Sequence, residues 1–198
     1  MTTPSTPPSA SIIPRDQRGS AVHTALLGFA ADPFLRWFWP QADAYVKAVE
    51  IIDTFAGDSV SLDCAWGTTD LNGVALWLPP GYTLDEEKVL GMFAQTMTPQ
   101  RFESVLQVLG AIDEYHPKTP CWYLNMIAVD PAHQGQGLGS ALMKAALARC
   151  DEDGIPAYLE SSNPRNISLY LRHGFEPMGE IQMADSPVIT PMLRPIGG

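Results

Sequence analysis

The sequence predicts a mixed α+β fold built around one sheet. An apolar run over residues 121–129 leads through a glycine-rich loop into a helical pattern over 137–152, which is the order strand, loop, helix. A strand over 156–161 and a helix over 165–172 follow, and two more strands are predicted near 175–184 and 187–194. A hairpin precedes these units. Strands and helices therefore do not alternate uniformly, which argues against a purely parallel α/β fold.

The first part of the chain contains a short strand and two helical patterns. Residues 12–15 are consistent with a first strand, and apolar residues recur at helical spacing from Val22 to Phe29 and from Tyr45 to Phe55. The segment between them, Phe34 to Trp39, is unusually aromatic. These rings either pack in the core or line a binding pocket.

A hairpin and a broken helix are predicted next. Residues 61–66 and 73–78 are two apolar runs joined by a polar turn, which indicates a β-hairpin. Residues 85–110 follow a helical pattern that breaks at Thr98-Pro99, because proline is tolerated at the start of a helix and not in its interior.

Length and composition are compatible with one domain. The chain has 198 residues, of which 45% are hydrophobic, enough to enclose a continuous core. We expect a single domain over residues 12–198. Residues 1–11 are nearly all Thr, Pro, Ser and Ala, so we expect a disordered tail, with neither a signal peptide nor a membrane segment.

Charge and metal-binding residue types narrow the partners. The net charge of −10 disfavours nucleic acid, which requires clustered Lys and Arg. Four histidines show no metal-ligand spacing, so no metal site is expected. The three cysteines, Cys64, Cys121 and Cys150, have no paired spacing, which indicates buried thiols in a reducing, cytoplasmic compartment.

The glycine-rich loop predicts a phosphate site. Gly135, Gly137 and Gly139 alternate with other residues and leave the backbone N–H groups open to a ligand, while the next helix directs its positive end to the same place. A nucleoside-triphosphate loop is excluded because no Lys precedes Ser140. A dinucleotide fingerprint, with Glu160 as the ribose-binding acid, is disfavoured because five residues separate Val129 from the first glycine.

A third interpretation comes from a resemblance. Gln134-x-x-Gly137-x-Gly139 resembles the motif [RQ]-x-x-G-x-[GA] of the GNAT superfamily of acetyl-coenzyme A-dependent N-acetyltransferases. A second block agrees, with Asn166, Tyr170 four residues later and then Gly174-Phe175. The resemblance covers about residues 120–198. Within the superfamily, residues 77–81 and 159–162 look most similar to the puromycin N-acetyltransferase-like branch.

The resemblance implies a GNAT-like fold, a mostly antiparallel sheet splayed between two central parallel strands, with helices on both faces. Acetyl-coenzyme A would lie in the splay, and Asn166 would bind its pantetheine arm together with main-chain groups of Ile127, Ala128 and Val129. The loop that would hold its diphosphate consists of Gln134, Gly135, Gln136, Gly137, Leu138, Gly139 and Ser140.

Tyr170 and Glu160 are the candidate catalytic residues. The resemblance places Tyr170 beside the thioester sulfur, where a phenol can donate a hydrogen bond or a proton to the leaving thiolate. An alkyl ammonium must lose a proton before it attacks, and Glu160 is the first candidate base, with His116 and Glu114 as weaker ones. None of the cysteines lies in either motif, so direct transfer is expected.

The acceptor is less defined by the sequence. Resemblance to the puromycin-modifying branch favours the primary amine of a small molecule. A peptide or protein N-terminus or a lysine is the alternative acceptor, and a non-catalytic acyl-coenzyme A-binding module is the non-enzymatic alternative. We expect a monomer or a homodimer.

Overall fold

A computed structural model describes residues 7–198 of the chain. Within these residues, seven strands form one sheet in the order β1-β2-β3-β4-β5-β7-β6. The strands are β1 (Ala10–Ile12), β2 (Ala65–Thr68), β3 (Gly73–Leu78), β4 (Trp122–Val129), β5 (Ala157–Ser161), β6 (Glu176–Pro177) and β7 (Thr190–Arg194). The helices are α1 (Arg18–Gly28), α2 (Pro33–Phe38), α3 (Ala42–Lys47), α4 (Val49–Ser61), α5 (Glu86–Thr96), α6 (Pro99–Tyr115), α7 (Leu138–Asp153) and α8 (Ile167–Leu171).

The sheet is antiparallel except at its centre. Strands β4 and β5 form the parallel pair, and every other neighbouring pair of strands is antiparallel. The intervening helix α7 provides the crossover that a parallel pair requires. The predicted mixed fold with a mostly antiparallel sheet is therefore confirmed.

Helices cover both faces of the sheet. On one face, α7 buries Leu142 and Met143 against side chains of β2 to β5. On the other face, α1 and α4 bury Val22 and Ile52 against β3 and β4. A third cluster, rich in aromatic residues, joins α2 to α5 and α6. The predicted aromatic segment is largely helical, because Asp32 caps α2 through Phe34 N and Leu35 N.

Strand β4 carries one extra residue at its middle. Leu76 of β3 is opposite Met126, but Trp77 is opposite Leu124, so Asn125 has no partner in β3. This is a β-bulge. As a result, Leu124 packs on the α7 face whereas Met126 packs on the α1 and α4 face.

Several predicted boundaries are corrected by the structure. The pattern from Tyr45 to Phe55 forms two helices, because the chain tightens at Ala48, whose N–H bonds to Tyr45 O. The predicted strand 61–66 begins only at Ala65, since α4 continues through Ser61. The predicted strand 175–184 is reduced to β6 and one isolated bridge at Ile181, because Pro177 lacks the N–H that a continuous ladder needs.

The first strand begins earlier than predicted. Ala10 and Ser11, assigned to a disordered tail, pair with Thr68 and Gly67 of β2, so that part of the prediction is wrong. Residues 1–6 of the predicted tail lie outside the described residues. The break predicted at Thr98-Pro99 is present, with Thr98 capping α6. Across residues 7–198, no helix has the length and apolar character that crossing a bilayer demands.

Candidate active site

The parallel strands β4 and β5 separate after two residue pairs. Trp122 lies opposite Ala157 and Tyr123 opposite Tyr158, and no further pairing between the two strands occurs in the described part of the chain. On their outer sides both strands remain paired, β4 with β3 and β5 with β7. The sheet therefore contains a gap whose inner edges offer backbone groups to a ligand.

The three residues predicted to bind the cofactor through their main chain lie on the diverging part of β4. Ile127, Ala128 and Val129 pair with residues 73–75 of β3, which leaves the opposite edge of this segment facing the gap. The edge can accept an extended, amide-containing ligand in the way that a sheet accepts an added strand.

The glycine loop lies between β4 and α7. Gly135 and Gly137 have φ angles of 77° and 82°, a left-handed conformation in which a side chain would be strained. Within residues 7–198, the backbone N–H groups of residues 134–140 have no backbone acceptor. These donors at the start of a 16-residue helix form an anion-binding site.

Two side chains fix the loop to its surroundings. The side-chain amide of Gln134 donates to Val129 O at 3.3 Å, which connects the loop to the end of β4. Ser140 Oγ lies 2.9 Å from His173 Nε2, which connects the start of α7 to the end of α8. Burial, with the nearby cation Lys144 as a smaller cause, lowers the pKa of His173.

Tyr170 lies in α8 and points into the protein. It is 4% exposed and its ring is 6.1 Å from that of Phe175, edge to face. Burial raises the pKa of its phenol, and the charge of Asp32 adds to the rise. The phenol therefore stays protonated at neutral pH and can donate a hydrogen bond. Asn166, half-buried, is the residue from which α8 begins.

Glu160 lies just beyond the point where β4 and β5 separate. Its Oε2 accepts a 2.7 Å hydrogen bond from the hydroxyl of Tyr123, while Oε1 is buried without a partner in residues 7–198. Burial raises the pKa of this carboxyl to about 7, although the hydroxyls of Tyr123 and, to a smaller extent, Tyr158 oppose the rise. A carboxyl with this pKa and one free oxygen is suited to accept a proton at neutral pH.

The other candidate bases differ in position. The ring of His116 lies 5.3 Å from Tyr123 and 4.9 Å from Tyr158, so it packs on both tyrosines beside Glu160. Glu114 is exposed on α6. His116 therefore lies close to Glu160. No contact among the described residues joins Glu114 to Glu160.

A second buried carboxylate lies near the gap. Asp32 is 5% exposed, and its Oδ2 accepts a 2.7 Å hydrogen bond from Ser162, directly after β5. Burial raises the pKa of Asp32, and the hydrogen bonds from Ser162, Leu35 and Phe34 oppose the rise.

Sequence reasoning missed Asp32, Ser162 and Tyr123. The position of Tyr123 could have been predicted. Side chains alternate along a strand, so Tyr158 and Glu160 lie on the same face of β5, and Tyr123 lies beside them because β4 is the parallel neighbour of β5. The sequence Asp32-Pro33 predicts the start of a helix, but it does not indicate that Asp32 contacts Ser162.

Sequence comparison relates this chain to acetyltransferases. The profile of the acetyltransferase (GNAT) family matches residues 37–175. An uncharacterized N-acetyltransferase of Schizosaccharomyces pombe is 28% identical over 123 residues, which cover 54% of this chain. The matched region spans only 48% of that relative.

Solved structures share the fold over nearly the whole chain. A Corynebacterium glutamicum protein described as histone acetyltransferase HPA2 and related acetyltransferase has a TM-score of 0.73 at 25% identity, covering 98% of each chain. A polyamine N-acetyltransferase of Drosophila melanogaster has a TM-score of 0.68 at 12% identity, covering 96% of this chain and 100% of that one. The family profile covers well over half of the residues, and so the chain belongs to the acetyltransferase (GNAT) family.

Proposed function

We propose that this chain transfers an acetyl group from acetyl-coenzyme A to the primary amine of a small molecule by direct attack. One observation carries the proposal: a gap between β4 and β5 contains a carboxyl with a pKa of about 7, and the loop at its end has backbone donors without a backbone acceptor in residues 7–198. The first feature suits a phosphorylated carrier, and the second suits removal of a proton from an amine.

The residues around the gap fit acetyl-coenzyme A. The N–H groups of residues 134–140, which have no backbone acceptor in the described part of the chain, suit its diphosphate. The edge of Ile127, Ala128 and Val129 that faces the gap suits the amides of its pantetheine arm. Asn166 would bind the same arm. When bound, the carrier supplies an acetyl thioester.

Glu160 acts as the base in this proposal. Its free Oε1 receives a proton from the acceptor ammonium, directly or through water, and the neutral nitrogen then forms a bond with the acetyl carbon. At pH 7 about half of a carboxyl with this pKa is ionised. The base is therefore available without a large change in pH.

Tyr170 stabilises the leaving sulfur. As the carbon–sulfur bond breaks, negative charge develops on sulfur, and the phenol donates a hydrogen bond and then its proton to it. Because the pKa of Tyr170 is raised, the hydrogen bond forms first and the proton follows only when the charge is nearly complete. The nitrogen then loses its second proton, which restores the phenol of Tyr170, and the products are the amide, the free thiol and the proton that Glu160 releases to solvent.

Direct transfer is favoured over an acetylated enzyme. Burial raises the pKa of the Cys64 and Cys121 thiols to about 11 and that of Cys150 to about 12. At neutral pH these groups are thiols rather than thiolates, and the thiolate is the nucleophile. A burst of acetylated protein before steady turnover would contradict this part of the proposal.

A small amine is the preferred acceptor. Structural neighbours include a polyamine N-acetyltransferase of Drosophila melanogaster and arylalkylamine N-acetyltransferase 2 of Aedes aegypti, and by analogy we infer an acceptor of comparable size. The narrower assignment to the puromycin-like branch and the cytoplasmic location are part of the same proposal.

The test is a screen for coenzyme A thiol release. Purified protein is incubated with acetyl-coenzyme A and a library of small amines, aminoacyl compounds and short peptides, and free thiol is measured. We expect turnover with small primary amines and binding of coenzyme A by calorimetry. Binding without thiol release for any acceptor would favour a non-catalytic module, and turnover confined to peptides would favour the peptide acetyltransferase alternative.

A further inference from the structure

We propose that Asp32 is the anion that receives the ammonium group of the acceptor amine, with Ser162 holding its carboxylate in place. The inference rests on the proposed function, since it takes the acceptor to be an amine that attacks beside Tyr170. It adds the substrate property that the site selects, a positive charge on the acceptor nitrogen.

The segment that carries Asp32 contacts both sides of the gap. At the end of α1, a Cβ added to Gly28 would lie 2.7 Å from Ala128 Cβ and 3.1 Å from Val129 N, so the helix end is pressed against β4. Four residues later, Asp32 is hydrogen-bonded to Ser162, which follows β5. Residues 28–32 therefore run from the end of one diverging strand to the end of the other.

The carboxylate has hydrogen-bonding capacity beyond its role as a helix cap. Capping uses Oδ1, which accepts from Phe34 N at 2.9 Å and Leu35 N at 3.0 Å. Oδ2 is directed away to Ser162. An ionised carboxylate accepts about four hydrogen bonds, so these three leave room for a further donor such as an ammonium.

The charge of Asp32 acts at the reaction centre. It is the charged group whose field adds to the rise of the Tyr170 pKa, so it lies within electrostatic range of that phenol. A nitrogen attacking beside Tyr170 must pass through the same field. An ammonium is stabilised there and a neutral isostere is not.

A bound cation would also offset the free-energy cost of keeping Asp32 ionised in the protein interior. Burial alone disfavours the ionised carboxyl, as its raised pKa indicates. An ammonium beside Oδ2 would supply a charge-assisted hydrogen bond and restore the ionised form. The two buried carboxylates thus have different tasks, because Asp32 binds the cation and Glu160 removes its proton.

The test compares cation binding by the wild type and by Asp32→Asn. Asparagine caps helices about as well as aspartate, so this change removes the charge and keeps the start of α2. The probe is the N,N-dimethyl derivative of the best acceptor from the amine screen, a cation that cannot yield a stable amide. The matching alcohol is the neutral probe. Calorimetry is performed with coenzyme A bound.

We expect Asp32→Asn to weaken binding of the cation roughly 10- to 100-fold, as for a hydrogen bond to a charged group, and to leave the alcohol and coenzyme A unaffected. Ser162→Ala should also weaken binding of the cation, by a smaller factor. Asp43→Asn, an exposed carboxylate in α3, is the matched control and should change nothing.

Equal affinity of the cation for the wild type and Asp32→Asn would overturn the inference. If Asp32→Asn does not fold, as judged by circular dichroism, Asp32→Ser replaces it, because serine also caps helices. The two failures are distinguishable. A wild type that acetylates no amine refutes the proposed function, whereas a wild type that acetylates amines without any dependence on Asp32 refutes only this inference.

Discussion

The hydroxyl of Tyr123 in β4 donates a 2.7 Å hydrogen bond to Oε2 of Glu160 in β5, across the last residues before the two strands separate. The bond stabilises the ionised carboxyl and limits the rise of its pKa. Tyr123 is therefore a positioning residue that acts through Glu160.

Tyr123→Phe should shift the pH dependence of turnover. Without the hydrogen bond the ionised carboxyl is less stable, so the pKa of Glu160 rises above about 7 and the rising limb of kcat/KM moves to higher pH. A bond to a charged group corresponds to a shift of roughly one to two pH units. Tyr82→Phe, which removes a bond to Asp58 elsewhere, is the control, and an identical profile in all three proteins would contradict the role of Tyr123.

Glu160→Gln should reduce kcat by about 10²- to 10⁴-fold at pH 7, the usual contribution of a general base. The affinity for acetyl-coenzyme A, measured by calorimetry, should stay unchanged, because the carrier would be held by residues 127–129 and 134–140. The rising limb of the pH profile should also disappear. Retention of both kcat and that limb would exclude Glu160 as the base.

Glu160→Gln should stabilise the fold at high pH. The folded-state pKa is about 7 and the ordinary value is 4.5, so the folded state prefers the protonated carboxyl. The stability from this preference is fully present below pH 4.5 and is lost as pH rises through 7. Relative to wild type, the variant should gain about 2 to 3 kcal/mol between pH 5 and pH 8.5 in urea unfolding. A pH-independent difference would show that Glu160 is not desolvated.

Tyr170→Phe should lower kcat by about 10- to 1,000-fold while the protein stays folded, because phenylalanine fills the same space beside Phe175. The KM for acetyl-coenzyme A should change little. Tyr82→Phe again serves as the control for loss of a phenol. Unchanged turnover would remove Tyr170 from the proposed mechanism.

Gly137→Ala should weaken binding of acetyl-coenzyme A. Its φ of 82° costs a non-glycine residue about 1–2 kcal/mol, so the loop would relax and its N–H groups would turn from the diphosphate. We expect a roughly 5- to 30-fold increase in Kd by calorimetry. Gly91→Ala in α5, where an added Cβ meets nothing within 4 Å, is the control and should leave Kd unchanged.

The order of elements was predictable because local signals determined it. The glycine loop predicted the start of α7, and Pro99 predicted the start of α6. Boundaries failed where long-range pairing decided them, as at Ala10 and Ser11, whose polar and small side chains give no strand pattern but pair with β2.

The candidate site residues could be predicted only where one segment contains them. Gly137 and Tyr170 lie in recognisable motifs, and the structure places Gly137 in the loop before α7 and Tyr170 in a core cluster that contains residues of β4 and β5. The contact between Asp32 and Ser162 joins residues 130 positions apart, and no local pattern signals it. The raised pKa of Glu160 depends on burial by the whole fold, which the sequence of β5 alone does not encode.

The unpaired Asn125 has a further consequence for how β4 tolerates insertions and deletions. Deleting Asn125 itself would restore an unbroken ladder with β3 and keep Leu124 and Met126 on the faces that they now occupy. Deleting Tyr123 instead would bring Trp122 opposite Leu78 and so move its side chain to the other face of the sheet. Loss of Asn125 is therefore expected to be accepted by the fold, whereas loss of Tyr123 is expected to abolish folding.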